Sequence, residues 1–165
     1  MSEKELEMRD LGRLSCALYF EDCVVGTTWR SAGRTILESD LSTFINFAWF
    51  HEDLFTNLHE RSANAIAGRP VPLAMVFSMS EGLILASIDG TGLAFLNLDL
   101  DAKAPTFVGD TIYVHCEVIE ARLTSKGDRG IVRTQNTVKN AKGEIVLIYR
   151  PQRLMKLRLK ESLQP

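Results

Sequence analysis

Leu73–Ser87 reads LAMVFSMSEGLILAS, an apolar run whose one charged residue is Glu81. Pro70 and Pro72 break the chain just ahead of it, so a helix is predicted to start near Leu73. A helix without a wide polar face has to be buried. It is also too short to cross a membrane, which takes about 20 residues. Other segments of the chain must therefore wrap it.

The residues that follow can form that wrapper. GLAFLNLDLDAK (Gly92–Lys103) alternates as a strand does. TIYVHCEVIEARL (Thr111–Leu123) places Ile112, Val114, Cys116 and Val118 on one face and His115 on the other. IVRTQNTVK (Ile131–Lys139) and EIVLIYRPQRLMKL (Glu144–Leu157) read as two more strands, with SKGDRG and NAKG as the turns between. Short turns between consecutive strands imply antiparallel pairing. Upstream, Tyr19–Ile36 reads as a turn and one strand ending near Arg34, available to join the same sheet. Ser39 or Asp40 is placed to cap a helix through DLSTFINFAWF, with Leu41, Phe44, Ile45 and Ala48 on its inner face. The expected fold is α+β: a curved antiparallel sheet around one central helix, the hotdog architecture. One domain is expected over 19–158, after a polar lead-in of 1–18 with room for one short helix, and before a tail of 159–165.

The totals narrow the function classes. With 165 residues, 45% hydrophobic and 24% charged, the chain suits one ordered domain. A net charge of −2 argues against a nucleic-acid binder with a broad basic surface. Cys16, Cys23 and Cys116 form no CxxC pair, which suits a reducing cytoplasm better than a disulfide framework. There is no four-ligand zinc spacing and no HExxH. MSEKELEMRDLGRL lacks the apolar core of a signal peptide. A soluble cytoplasmic protein is expected, with no metal, flavin or nicotinamide cofactor and no membrane partner.

Three segments carry a family resemblance. YFEDCVVG (Tyr19–Gly26), GRTILESDLSTF (Gly33–Phe44) and APTFVGDTI (Ala104–Ile112) resemble, in that order, motifs of the MaoC-like or (R)-specific enoyl-CoA hydratase family of the hotdog superfamily. The resemblance implies an acyl-coenzyme A thioester as ligand, with coenzyme A arriving as part of the substrate. It implies addition or removal of water at a 2-enoyl or 3-hydroxyacyl group. It also implies a backbone N–H at the start of the central helix that polarises the thioester carbonyl, and an Asp/His pair that handles the proton.

That pair is where the chain departs from the family. In the register set by Asp40, FHEDLF (Phe50–Phe55) stands where the family has D-x-N-P-L-H. Phe50 replaces the Asp, Glu52 the Asn, Asp53 the Pro and Phe55 the His. Phenylalanine can neither take nor give a proton. A one-residue shift would instead bring Asp53 and His59 into play. At the helix start Leu73 stands at the family's Gly and Pro72 at its His, while Ser78 and Gly82 match. FSMSEGL and GTGLAFL resemble a divergent subset with the same changes.

The catalytic candidates are therefore His51, Glu52 and Asp53, and the substrate-binding candidates Phe50, Phe55, Leu73, Ala74 and Ser78. Each has a plainer reading. His51 and Glu52 suit a solvated helix end, Asp53 suits the cap of the next turn, and the phenylalanines suit a core. Ser78 can bond back to its own helix. Arg129, Arg133, Arg150 and Arg153 either grip phosphates or are solvated. Three functions stay open: a hydratase with an altered site, a non-catalytic acyl-CoA-binding module or subunit, and a thioesterase using Glu52. A homodimer or higher hotdog oligomer is expected, because exposed strand edges need covering.

Overall fold

The computed structural model describes residues 9–158. Strands β1 (Asp10–Arg13), β2 (Thr28–Arg30) and β3 (Arg34–Thr35) precede helices α1 (Glu38–Ala48), α2 (Asp53–Thr56) and α3 (Leu73–Ile84). Strands β4 (Gly92–Ala102), β5 (Thr111–Leu123), β6 (Gly130–Asn140) and β7 (Ile145–Met155) follow. All seven strands form one sheet in the order β1-β2-β5-β6-β7-β4, with β3 beside β5. Every pairing is antiparallel except β1 with β2. This is the curved sheet around a central helix that the pattern predicts.

Strand β5 shows why the pattern works. Ile112, Val114, Cys116 and Val118 are all buried against α3, while His115 and Glu117 between them are exposed. Gly109 takes φ +93°, and the Asp110 carboxylate accepts the Phe107 amide at 2.9 Å, so this turn aims the chain into β5.

Four local expectations are corrected. The lead-in includes a strand, β1, whose parallel pairing with β2 extends the sheet; residues 1–8 and the tail 159–165 lie outside the described residues. The single strand expected after the turn, ending near Arg34, is split in two, because Ser31 interrupts the ladder. Its amide donates to the Val114 carbonyl at 2.9 Å, and its Oγ, in place of a carbonyl, accepts the Val114 amide at 2.9 Å. Gly33 then passes beneath Tyr113 so closely that a Cβ would lie 2.6 Å from the ring. Helix α1 begins one residue before Ser39, with Leu37 at the cap position. Asp40 sits inside the first turn and accepts the Leu37 amide from there at 2.8 Å.

The fourth correction concerns α3. Its last turn tightens to a 3-10 helix over Leu85–Ser87. Met75, Val76, Ser80 and Ile84 are buried, but Ala74, Ser78, Gly82 and Leu85 are exposed. One sheet and one flanking helix cover only part of a helix that is apolar all round.

Glu81, the single charge on α3, has an internal partner. The Arg153 guanidinium, whose side chain is only 7% exposed, donates to its carboxylate. The same guanidinium lies 5.0 Å above the Phe95 ring. Beneath the helix, Thr134, Asn136 and Tyr149 also point inward and are buried. Phe77 of α3 meets the Tyr149 ring edge-on at 5.2 Å. Burial pushes the Tyr149 hydroxyl far above its ordinary pKa, so it stays protonated. Replacing Glu81 with Gln strands the buried Arg153 charge. Urea denaturation of Glu81→Gln is expected to show a loss of roughly 3 kcal/mol, much of it recovered in Glu81→Gln/Arg153→Met.

Candidate functional site

The segment Trp49–Phe55 leaves α1 through a left-handed turn. Trp49 has φ +61°, the sole positive φ outside glycine among the described residues. That conformation costs a bulky residue roughly 1–2 kcal/mol. It lets the Trp49 and Phe50 amides both turn back to the Ile45 carbonyl, which closes the helix. The turn also sorts the side chains that follow. Trp49 projects into solvent, 83% exposed, with His51 edge-on to its ring at 5.9 Å. Phe50 folds inward between Phe44, at 5.7 Å, and Phe55, at 6.0 Å.

His51, Glu52 and Asp53 are consequently adjacent and exposed. Among the described residues no hydrogen bond joins their side chains. The Glu52 carbonyl caps α2, accepting the Phe55 and Thr56 amides at 2.9 and 3.1 Å, so its carboxylate is not needed for the cap. Asp53 opens α2, where a negative charge suits the helix dipole. His59, in the shifted register, is also exposed, and its amide donates to Asn57 Oδ1 at 2.8 Å.

The start of α3 offers backbone donors. Met75 and Val76 turn back to the Pro72 carbonyl at 2.9 and 3.2 Å, and no side chain caps the helix. By helix geometry the Leu73 and Ala74 amides precede the first intrahelical bonds and point outward along the axis. Both residues are exposed on the surface. Ser78 donates its hydroxyl to the Ala74 carbonyl at 2.8 Å, one turn back on its own helix.

Two grooves flank α3. The larger, 540 Å³, runs between α1 and α3 over Phe44, Phe47, Met75, Met79 and Leu83. Its rim carries Ser78 and the Arg34–Asp40 ion pair at 2.8 Å. The second, 330 Å³, opens at the start of α3 between Leu54, Phe55, Leu73 and Pro105, with Lys103 at its edge. Of the predicted residues, Phe55 and Leu73 line the second groove and Ser78 the first. Phe50, His51, Glu52, Asp53 and Ala74 line neither. Arg34, Asp40, Met79 and Lys103 were not predicted from the sequence as site residues. Arg34 and Asp40 fall within the family-like segment Gly33–Phe44, which is where a signal for them existed.

Other chemistries find little support here. Burial pushes the Cys23 thiol up to about 12, helped by Asp22 and Glu21, and burial raises Cys116 further still. Neither is a ready nucleophile. Among the described residues no cluster of His, Cys, Asp and Glu suits a metal ion. Arg133 pairs with Asp99 at 2.7 Å, Arg150 with Asp101 at 3.0 Å and Arg153 with Glu81, while Arg129 lies 4.0 Å from Asp128. Each of the four therefore has a carboxylate of the chain itself beside it. No described helix is long and apolar enough to cross a membrane.

No family model and no curated protein sequence matches the chain. Solved structures do. The monoamine oxidase regulatory protein from Archaeoglobus fulgius is 26% identical with a TM-score of 0.78, over 92% of this chain and 99% of that one. A putative MaoC domain protein dehydratase from Chloroflexus aurantiacus is 23% identical with a TM-score of 0.83, over 92% of this chain and 44% of that longer one. The (R)-hydratase PhaJ1 from Pseudomonas aeruginosa is 19% identical with a TM-score of 0.67, over 89% of this chain and 93% of that one. A double-hotdog protein from Mycobacterium tuberculosis aligns over 90% of this chain with a TM-score of 0.72. The chain shares the fold of these structures, the hotdog fold.

Proposed function

We propose that the chain binds a 2-enoyl or 3-hydroxyacyl thioester of coenzyme A and adds or removes water there, with His51 and Glu52 in place of the usual acid–base pair. The observation that carries this reading is the groove at the start of α3. Its wall includes Leu73, whose amide precedes the first intrahelical bond and belongs to an uncapped helix start. A thioester carbonyl at that end would meet a backbone donor and the positive end of the helix dipole. As water adds, its oxygen bonds to Cβ, the electron pair of the double bond moves toward Cα and the carbonyl, and a proton is delivered to Cα. The donor stabilises the charge that develops on the carbonyl oxygen. Glu52 takes the proton from water and His51 supplies the one for Cα.

A second reading has its own observation. Phe50 and Phe55, which by the family resemblance stand at the positions of the acid–base pair, pack on each other against the core. The chain is then a thioester-binding module or a non-catalytic subunit. A thioesterase using Glu52 has only the exposure of that carboxylate in its favour. In every reading coenzyme A comes with the ligand, no further cofactor is invoked, and the cytoplasm is the proposed compartment, given three unpaired cysteines.

The working unit in this proposal is a homodimer. Among the described residues strand β4 bonds only β7, which leaves its outer edge open. Leu93, Phe95 and Leu96 on it are 41–47% exposed. The open side of α3, with Ala74, Ser78, Gly82 and Leu85, leaves further apolar surface to cover. A second copy pairing β4 to β4 would satisfy the edge and cover the helix.

Incubation with a panel of 2-enoyl- and 3-hydroxyacyl-CoAs, followed by mass spectrometry for gain or loss of water, tests the reaction. Turnover is expected, and is expected to fall by about 10²–10⁴-fold in His51→Ala/Glu52→Gln. Binding without turnover on any substrate would select the binding module. Analytical ultracentrifugation tests the assembly: the native chain should sediment as a dimer and Leu93→Lys/Leu96→Lys as a monomer. A monomeric native chain at high micromolar concentration would rule the dimer out.

A further inference from the structure

The face of the sheet turned away from α3 holds a groove of its own, of 530 Å³, lined by Arg30, His115, Glu117, Gln135, Thr137 and Lys139. The reading above assigns it no role. Strand register gathers basic side chains at one end of it. Arg30 on β2 lies directly opposite His115 on β5, and Arg13 on β1 is in register with Arg30. Lys139 sits two residues along β6 from Thr137, the partner of His115. Side chains directly opposed on one face stand about 5 Å apart, and diagonal neighbours about 7–8 Å. Three strands thus bring Arg13, Arg30 and His115 onto one rung, with Lys139 on the next.

These charges are unanswered within the described residues. Arg34, Arg69, Arg133, Arg150, Arg153 and Arg158 each have a carboxylate partner. Arg13, Arg30 and Lys139 have none within ion-pair distance. Two carboxylates do reach the groove, Asp10 and Glu117, but both are in register with Thr28, the neighbouring rung. Asp10 Oδ1 already accepts the Gly12 amide at 2.8 Å. His115 registers the balance: partial burial first, then Lys139 and Arg30, hold it below the ordinary imidazole value, against an opposing pull from Asp10. Like charges kept adjacent cost free energy unless an anion answers them.

We propose that this groove binds a small multivalent anion of the phosphate class, held by Arg30, His115 and Lys139, with Arg13 beside Arg30 adding to the positive field, and separate from the thioester site. The anion is either free phosphate or the phosphate of an ester. Bound there, it favours the protonated imidazole, so its affinity falls as pH rises through the titration of His115. Each unit by which the anion raises the His115 pKa corresponds to about tenfold tighter binding to the protonated protein.

Proton NMR of the three histidines in the full chain tests this. His115 is assigned from a His115→Gln variant, and titrations use inorganic phosphate, free coenzyme A and sodium chloride at matched ionic strength. Phosphate or coenzyme A is expected to raise the His115 pKa saturably and sodium chloride is not; phosphate is expected to leave the His51 and His59 signals in place. Arg30→Gln/Lys139→Gln should keep its native circular dichroism, start with a higher His115 pKa because the repulsion is gone, and lose the response to the anion. A response to phosphate assigns the free anion; a response to coenzyme A alone assigns the ester. A response to neither, equal movement of all three histidines, or an effect that persists in the double variant would overturn the proposal.

Discussion

An apolar helix in water has to be covered on every side, and one sheet covers one side of it. That constraint organises the molecule. Strands β5, β6 and β7 turn their inner faces to α3, and α1 flanks it. What remains is an exposed stripe through Ala74, Ser78, Gly82 and Leu85. The small side chains on that stripe let another surface approach closely. The helix at the centre of the fold is therefore also the argument for a second copy. The Glu81–Arg153 pair adds specificity to this packing. A buried ion pair contributes little net stability against an apolar replacement, yet it defines one rotation of α3 over β7, since any other would bury a charge alone.

The same helix connects fold to chemistry. Its uncapped start places outward-pointing amides at the wall of a groove, and the segment with the proposed acid–base groups runs from the end of α1 into α2. The left-handed turn at Trp49 decides which side chains of that segment turn inward. It sends Phe50 into the core with Phe44 and Phe55, and His51 to the surface beside Trp49. A glycine or asparagine would close α1 at lower cost, so the fold alone does not account for a tryptophan there.

How much of this was legible in the sequence depends on the range of the interaction. Alternation along β5 and the apolar run of α3 are local patterns, and the strands and helix they predict are present with nearly the expected bounds. The break at Ser31 was not legible, because a hydroxyl standing in for a carbonyl leaves no periodic trace. Nor was the role of Asp40, which closes the α1 cap from inside the first turn rather than from the cap position. Strand β1 was missed because four residues with mixed polarity carry no usable period. The groove residues Arg34, Met79 and Lys103 come together only through tertiary contact between distant elements. The open stripe on α3 was misread for a related reason: periodicity shows that a face is apolar, not which molecule covers it.

The two phenylalanines bear most directly on function. In a site built for proton transfer, the acid and base need desolvated, fixed positions close to the reacting carbon. In the register of the family resemblance Phe50 and Phe55 would stand at those positions, and they are fixed by packing on each other and, for Phe50, on Phe44. His51 and Glu52 have the right chemistry but stand in water, where their mutual geometry is loose and their fields are screened. What could give them a fixed, drier setting is cover from outside the chain. The exposed side chains of Phe47 and Trp49, 84% and 83% accessible, mark this as a surface with apolar area to spare. Dimerisation and catalysis are thus linked questions. If a second copy or the bound thioester closes over this corner, His51 and Glu52 become an enclosed pair; if nothing does, the corner can bind but has no means of moving a proton with direction.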